Sequence, residues 1–588
     1  MSEKFENLVD LWEKSCEKFA GNDLFGTKSS GAWTWITYRE FKKLVDDLRA
    51  ALAALGVGAG DKVGIVSNNR VEWAVAAYAT YGRGASFVPM YEAQKSDEWK
   101  FILEDCGAKV AIGATNGIYE KLKGLKAELP ALEHVIGFEA PASDPGSYAA
   151  LLAAGAKKPV AAEHPKGSDV AGFIYTSGTT GNPKGVILSH DNICSNINAI
   201  HELFPFDPSD RSLSFLPWAH SFGQTCELHA MLSMGSSLAV NDAVENLVAN
   251  LSEVRPTILF AVPRIFNRIY DGVNKQMADK PGAIQKLFKS AIANQTVRSR
   301  GGEIGLGAKL GIALAKKLIF SKIRQKFGGR LKYAVSGSAA LSKEVAEFID
   351  ALGIEVYEGY GLTETSPIAT ANFPGRRKIG SVGTAISGVT ITIDRSVTDD
   401  ARNGEILIKG PNIMQGYHNR PEENAAVLLP DRTFRSGDMG YLDEDGYLYI
   451  TGRIKEQYKL ENGKYVVPSP LEEDLKLSPY IANVMIHGAN HPYNVALVVL
   501  DKPAVEKWAA ASGVSTENLE ESPEVKKLVE DELQKYGKGF KGFERPEKFA
   551  LILEDFSTDN GMLTPTLKLK RRNVLAKYEP RLEALYKG

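Results

Sequence analysis

Between Thr176 and Lys184 the chain reads TSGTTGNPK, a run of hydroxyls and glycines closed by one lysine. Thr176, Ser177, Gly178, Thr179, Thr180 and Gly181 offer hydroxyl and unobstructed backbone N–H donors, the groups that cradle phosphate oxygens. Lys184 adds a mobile point charge. The competing reading is a threonine-rich hairpin that does no chemistry. A Walker-type loop is excluded, because it needs Gly-Lys-Ser/Thr opening a helix, whereas Pro183 precedes Lys184, Gly185 follows it and VILSH continues as a strand.

Distant segments supply partners for such a cradle. Thr363 and Glu364, in EGYGLTETS, stand just past the run IEVY, and in a parallel sheet ligands sit beyond the carboxyl ends of strands. A hydroxyl there can meet a phosphate, and a carboxylate can hold magnesium. FRSGDMGYL places Asp438 in a predicted turn, where an acid can bind ribose hydroxyls, and TGRIKEQ supplies Arg453, a fork suited to phosphate or ribose oxygens. Taken singly, these residues read equally well as a capping hydroxyl, a turn aspartate and a solvated arginine.

The elements that must position them are legible as alternation. The runs KVGIVSNN, ASFVPM, KVAIGA, HVIGF, AGFIYT, RSLSFLP, SSLAV, PTILFAVP, LKYAVSG and IEVYEGYG alternate with helical stretches such as the amphipathic RVEWAVAAYATYG. That pattern predicts an α/β fold, with a large N-terminal body of doubly wound parallel sheets covered by helices on both faces. After about Gly380, VTITID, GEILIKG, RTFRS and GYLYITGR are short and joined by turns such as Asp443-Glu444-Asp445-Gly446, which predicts a small antiparallel β subdomain. Beyond GRIKEQYKLENGKYVVP, the hairpin strands NVMIHG and NVALVVL, a charged helix near Val525 to Lys535 and the strand KFALIL predict an α+β C-terminal lid. We read 1–454 as the body and 455–588 as the lid, joined near Lys455.

Composition narrows the partners. The 588 residues carry 70 basic and 72 acidic side chains, a net charge of −2, so no global field attracts nucleic acid and any anion must be held locally. Cys16, Cys106, Cys194 and Cys226 form no CxxC pair, which argues against a zinc ribbon, a redox motif or a disulfide framework and favours a reducing cytoplasm. The N-terminus carries acids from the start and spaces Leu8, Leu11, Trp12, Ser15 and Phe19 along one helical face, unlike a signal peptide. No apolar run is long enough to span a bilayer. His220, Cys226 and His229 lack a further metal-ligand pattern and read as packing residues.

Together and in this order, the motifs resemble those of the adenylate-forming superfamily, which includes acyl-CoA synthetases, firefly luciferases and peptide-synthetase adenylation domains. The resemblance covers nearly the whole chain. YTSGTTGNPKG resembles the superfamily's phosphate loop, YGLTETS its magnesium and phosphate segment, GEILIKGPNIMQGYHNRPE a core motif, FRSGD its ribose aspartate and GRIKEQYKLENGKYVVP its hinge. It implies ATP contacts along Thr176 to Gly181 and at Lys184, an α-phosphate contact at Thr363, a magnesium ligand at Glu364, a ribose ligand at Asp438, a nucleotide contact at Arg453 and a hinge at Lys455. SGSAAL matches the segment that lines the adenine, with Gly337, Ser338 and Ala339, while Tyr360, followed by Gly361, stacks on the purine. The superfamily's C-terminal motif places a catalytic lysine after glycine, whereas NGMLTPTLKLKRR offers Lys568 and Lys570. Aligning the trailing basic pair on Arg571 and Arg572 selects Lys568, with Lys570 as the alternative.

The chemistry implied is carboxylate activation. A free carboxylate is no acyl donor, because its leaving group would be oxide. Attack on the α-phosphate of Mg-ATP gives an acyl adenylate and pyrophosphate, and the thiol of CoA then displaces AMP. Both steps gather charge on phosphate or carboxyl oxygens, so cations and donors must already be in place. Lys184, magnesium on Glu364, and Lys568 answer that need in the first step. The resemblance implies that the lid then rotates about Lys455, replacing Lys568 by the ENGKYVVP face with Gly463 for thioester formation.

Within the superfamily the chain looks most like long-chain fatty acyl-CoA synthetases, on FLPWAHSFGQTCELHAMLSMG, LSEVRPTILFAVPRIFNRIYDGV and its C-terminal ending. Trp218, His220 and Phe222 match the entrance of the acyl pocket. The expected activity is a long-chain fatty acid–CoA ligase using ATP, magnesium and CoA. The alternatives are a fatty acyl-AMP ligase loading a carrier protein and a CoA ligase for another hydrophobic acid. Ala308 to Arg330 has leucines and isoleucines at helical spacing, seven Lys or Arg and no acid. It reads either as a peripheral contact with the cytoplasmic face of a membrane or as a helix packed on the body with a solvated basic face.

Overall fold

The computed structural model describes residues 4–176, 182–398, 401–564 and 567–587, and the chain divides into two compact units. The first holds Met1–Phe266, Gln276–Thr392 and Leu407–Arg435, and the second Asn267–Lys275, Ile393–Ile406 and Ser436–Gly588.

Two large sheets organise the first unit. One runs in the order Gly416–Tyr417, Lys184–Ser189, Val170–Thr176, Ser86–Met90, Lys62–Val66, Val110–Gly113 and His134–Gly137, with the last five parallel. The other runs Thr384–Ala385, Ile368–Ala371, Glu355–Gly361, Tyr333–Ser336, Ile258–Ala261, Arg211–Ser214, Ser237–Val240, Asp23–Ser29 and Ala32–Thr37. From Glu355–Gly361 through Asp23–Ser29 its strands are parallel. Strands covered on both faces read as uninterrupted apolar runs, and SFVPM, VAIG and ILFA are buried throughout. The stretch RVEWAVAAYATYG forms the helix Val71–Tyr81, but it is not amphipathic: every residue from Trp73 to Tyr81 is buried, because layers enclose it on all sides.

The parallel expectation ends at the sheet edges. Lys184–Ser189 returns antiparallel to Val170–Thr176, so the glycine- and threonine-rich segment tips a hairpin. It is too short for the crossover that a parallel return requires. Ser189 then caps the helix His190–Leu203, its hydroxyl accepting the Asn192 N–H while the Asn192 side chain accepts the Ser189 N–H.

In the second unit, Ile481–His487 and Asn494–Leu500 pair antiparallel, and Pro546–Ile552 adds a parallel strand. The run NVALVVL has no polar alternation because both faces are covered. Ala496, Val498 and Leu500 cluster with Leu471, Leu475, Val525 and Val529, whereas Val495, Leu497 and Val499 cluster with Val574 and Leu582. All four cysteines are free and buried. Among the described residues, no helix is long and apolar enough to cross a membrane.

Burial shifts four titratable groups of the first unit in opposite directions. Burial pushes His190 down to about 4 and His229 to about 3. His190 Nδ1 accepts the Leu8 N–H at 3.2 Å, and His229 Nδ1 lies 2.7 Å from the Tyr78 hydroxyl. Burial pushes Glu227 up to about 7, although Ser212 and Ser214 donate to it, and Glu358 up to about 8. A depressed histidine loses stability as pH falls below its ordinary 6.5, and a raised carboxyl loses it as pH rises above its ordinary 4.5. Between those values the two trends offset; below 4.5 the histidines weaken the fold, and above 6.5 the carboxyls do. Glu227→Gln is therefore expected to remove on the order of 1 kcal/mol of the loss above about pH 6, the part of the titration from there to about 7. The measurement is the drop in unfolding midpoint between about pH 6 and about pH 8.5, which should shrink in the variant. An equal drop in both proteins would contradict the assignment.

Candidate active site

Thr176 and Lys184 face each other as the last pair of the hairpin ladder. Ser177, Gly178, Thr179, Thr180 and Gly181 lie outside the described residues. The Lys184 ammonium is 3.5 Å from Glu423 Oε1 and 5.3 Å from the centroid of the Tyr417 ring. Tyr417 comes from the two-residue strand Gly416–Tyr417, which pairs with Ile187 and Val186. Asn424 fixes it there, accepting the Tyr417 N–H at 2.6 Å and donating to its carbonyl at 2.9 Å. The Tyr417 hydroxyl donates to Glu364 Oε1 at 2.7 Å. Burial and the facing carboxylate hold this phenol well above its usual range, so it remains a donor.

Thr363 and Glu364 occupy a short 3-10 turn, Thr363–Thr365, at the carboxyl end of Glu355–Gly361, where sheet topology places ligands. The turn is held by Leu362 N–H on Thr365 Oγ1 at 2.8 Å and by Met414 N–H on the Glu364 carbonyl at 2.9 Å. Thr363 is buried, its Oγ1 3.4 Å from Ser221 Oγ. Glu364 is half-buried. Gly361 has no substitute, because a Cβ there would lie 1.7 Å from the Pro367 carbonyl oxygen. Tyr360 is half-buried on the same strand. On the neighbouring parallel strand, Gly337 follows Ser336 and is buried, and a Cβ on it would sit 3.3 Å from the Phe222 ring. Ser338 (φ 71°) and Ala339 are exposed beyond it.

The three aromatic positions expected at an acyl entrance separate. Phe222 starts a π-helix, Phe222–His229, and packs against Gly337 and Phe260. His220 is half-buried and accepts the Phe222 N–H on Nδ1 at 3.2 Å. Trp218 is enclosed in the core, its ring 5.6 Å from Trp73 and 5.8 Å from Phe25. Cys226 and His229 are buried on the π-helix, and among the described residues no group of three or more His, Cys, Asp or Glu could hold a metal ion.

In the second unit, Asp438 and Arg453 stand directly opposite each other in the ladder between Phe434–Leu442 and Leu448–Arg453, with Arg453 Nε 2.9 Å from Asp438 Oδ1. The sequence reading placed Asp438 in a turn; it lies on a strand instead, because Gly437, at φ 70°, absorbs the kink within that strand. The hairpin closes where predicted, with the Gly446 N–H on the Asp443 carbonyl and the Tyr447 N–H on Asp443 Oδ1. Lys455 is exposed in the 3-10 turn Ile454–Glu456, within the second unit. Gly463 (φ 83°) sits in the turn between Tyr458–Lys459 and Tyr465–Val466. Lys568 is exposed at the end of a turn in which Thr564 N–H donates to its carbonyl at 2.8 Å and its own N–H donates to Thr564 Oγ1 at 3.0 Å. Lys570 is half-buried and directly precedes the helix Arg571–Ala584.

Sequence reasoning named no role for Tyr417, Glu423 or Ser221. Tyr417 lies inside the quoted motif QGYHNRPE, with no local feature that marks its contact with Glu364. The partnership of Ser221 with Thr363 spans 142 positions and left none.

Residues 12–418 match the family model of the AMP-binding enzyme, and residues 455–588 match that of the AMP-binding enzyme C-terminal domain. The chain belongs to the AMP-binding enzyme family. It is 33% identical over 574 residues to long-chain-fatty-acid–CoA ligase FadD15 of Mycobacterium bovis, covering 95% of this chain and 93% of that protein. It is 30% identical over 609 residues to the peroxisomal long chain acyl-CoA synthetase 7 of Arabidopsis thaliana, covering 98% and 86%. Among solved structures, the adenylation domain of a carboxylate reductase from Mycobacterium chelonae superposes with a TM-score of 0.81 at 23% identity, covering 100% of this chain and 92% of that one, a likeness of fold.

Proposed function

We propose that this protein is an AMP-forming long-chain fatty acid–CoA ligase. The observation that carries the reading is similarity along nearly the full chain, through both family regions, to relatives bearing that name. In the first step a carboxylate oxygen bonds to the α-phosphorus of ATP as the bond to pyrophosphate breaks. In the second the thiol of CoA, having lost its proton, bonds to the acyl carbon as the bond to AMP breaks.

The assigned roles belong to the same proposal. Thr176 to Gly181 and Lys184 hold the phosphates, and Thr363 meets the α-phosphate. Gly337 to Ala339 and Tyr360 line the base, and Asp438 with Arg453 takes the ribose. Lys568 serves adenylation, Lys455 is the hinge between 1–454 and 455–588, and Gly463 belongs to the thioester-forming face. His220 and Phe222 lie toward the acyl chain, while Trp218 supports them from the core. The pair Lys184–Glu423 is only partly buried and worth about 0–1 kcal/mol, so a polyphosphate can take over the ammonium. Glu364 fits magnesium, which binds through one or two carboxylates plus substrate phosphates rather than a protein cage. Bound there, the ion would withdraw charge from the phosphates. Free, buried cysteines accord with a cytoplasmic setting, and a peripheral membrane contact through 308–330 completes the proposal.

The test is pyrophosphate release across straight-chain acids of graded length, with either CoA or a pantetheinylated carrier protein as acceptor. Release should be greatest with long chains, and acyl-CoA with AMP should appear only with CoA. Consumption of the adenylate by the carrier protein alone would overturn the reading in favour of a carrier-loading ligase.

A further inference from the structure

Arg571 opens the helix Arg571–Ala584, just past the segment that carries Lys568. Its guanidinium forks onto the carboxylate of Glu472, which is buried and also accepts the Ile486 N–H at 2.6 Å. The same terminal nitrogen that meets Glu472 also donates to Ser469 Oγ at 3.3 Å. Ser469 in turn donates its hydroxyl to the Glu456 carboxylate. Ser469 and Glu472 stand one turn apart on the helix Pro468–Leu475 and so share a face. Glu456 belongs to the 3-10 turn Ile454–Glu456, next to Lys455.

The three groups form a directed chain, from Arg571 through the Ser469 hydroxyl to Glu456. A hydroxyl between a cation and an anion is polarised from both sides, which strengthens both bonds. Burial alone would lower the Arg571 guanidinium, but Glu472 and, behind it, Glu456 more than offset this and hold it above its ordinary value. The chain joins places far apart in sequence, since Ser469 stands 13 positions from Glu456 and 102 from Arg571. Stability explains the inner pair of Arg571 and Glu472, because a buried carboxylate needs a partner. It gives no reason for the outer link: Ser469 and Glu456 are only half-buried, where charged contacts are worth little. What the outer link does is tie the turn at Lys455 to the segment at Lys568.

We propose that Arg571, Ser469 and Glu456 are positioning residues that couple the hinge turn to the Lys568 segment, so that the conformation of the turn places the lysine. The inference rests on the assignment of Lys568 to adenylation and of Lys455 to the hinge. A lid turning about Lys455 then carries Lys568 as part of one piece, and the lysine need not find its place anew at each turnover.

The outer link can be broken with Arg571 left intact, which avoids stripping Glu472 of its partner. In Ser469→Ala, adenylation should fall about fivefold to tenfold, with thioester formation from supplied acyl adenylate unchanged. Glu456→Gln should give the same split at about threefold, and Ser469→Thr, which keeps the hydroxyl, should restore the rate. Added to Lys568→Ala, Ser469→Ala should cost nothing further, since it acts through that lysine. Amide hydrogen exchange of the full chain without substrates gives a readout independent of activity. The Thr564, Lys568 and Lys570 amides, bonded to the Lys568 carbonyl, Thr564 Oγ1 and the Met562 carbonyl, are the reporters. They should exchange about fivefold faster in Ser469→Ala, while the amides of the strand Asn494–Leu500 keep their protection. Unchanged exchange at the reporters would overturn the proposal. So would a loss shared by both half-reactions, or one that adds in full to that of Lys568→Ala, since either marks a merely structural serine. A harmless Lys568→Ala would strike the assignment of the lysine instead, and the exchange result alone would then decide the coupling.

Discussion

Lys568→Ala is expected to lower adenylation by about 10²–10³, the usual cost of a lost charge-stabilising donor, while sparing thioester formation from supplied acyl adenylate. The first step brings a carboxylate against a polyphosphate. At about 4 Å and an effective dielectric near 20, one opposing charge interacts by roughly 4 kcal/mol before desolvation. The structure makes the substitution interpretable: the turn is held through the backbone N–H and carbonyl of Lys568, with Leu567 at φ 60°, and alanine retains those bonds. The segment is anchored just beyond by the Arg571 guanidinium on the Glu472 carboxylate, which also accepts the Ile486 N–H. Lys570→Ala is the control, expected to cost little. Lys455→Pro should give the opposite split, since a stiffened hinge impairs the second step more than the first. Pyrophosphate release measures adenylation, and acyl-CoA formed from added adenylate measures the thioester step. Equal loss of both in Lys568→Ala, or loss in Lys570→Ala instead, would overturn the assignment.

What the sequence revealed depends on how local each cause is. Buried strands announce themselves as apolar runs, so the strands lining both large sheets were legible, as was NVALVVL with its two covered faces. Turn chemistry was legible at Asp443 to Gly446, where a single side chain organises the loop. The pairing sense of an edge strand is not local, because it depends on whether a connection is long enough to cross over; hence the antiparallel return at Lys184 was not implied by the parallel pattern. Burial is not local either. The helix Val71–Tyr81 has Glu72 as its one charged residue and is buried from Trp73 on, and Trp218 looks like a pocket residue by its neighbours but is enclosed by Phe25 and Trp73. At the site, residue identities came from motif order, whereas the link from Lys184 through Tyr417 to Glu364 exists only once a two-residue strand is laid beside Val186 and Ile187.

That link gives the second large expectation. Glu364→Gln keeps the shape of the side chain and removes its charge; adenylation should fall by about 10²–10³, with more magnesium needed to reach half-maximal rate. Tyr417→Phe leaves the carboxylate in place but removes the hydrogen bond that aims it. A bond to a charged group is worth about 1.5–3 kcal/mol, so its loss should cost roughly tenfold to a hundredfold. The backbone of Glu364 stays tied to Met414 and the ring stays under Lys184 in that variant, so only the aim of the carboxylate changes. Magnesium titrations of pyrophosphate release separate the two effects. A metal ligand shifts the magnesium requirement, whereas a residue that merely packs the turn lowers the rate at every magnesium concentration alike. Glu364→Gln with an unchanged magnesium requirement would remove Glu364 as the metal ligand. Tyr417→Phe as damaging as Glu364→Gln, with no shift in that requirement, would mean that the phenol acts on the substrate directly rather than through the carboxylate it holds.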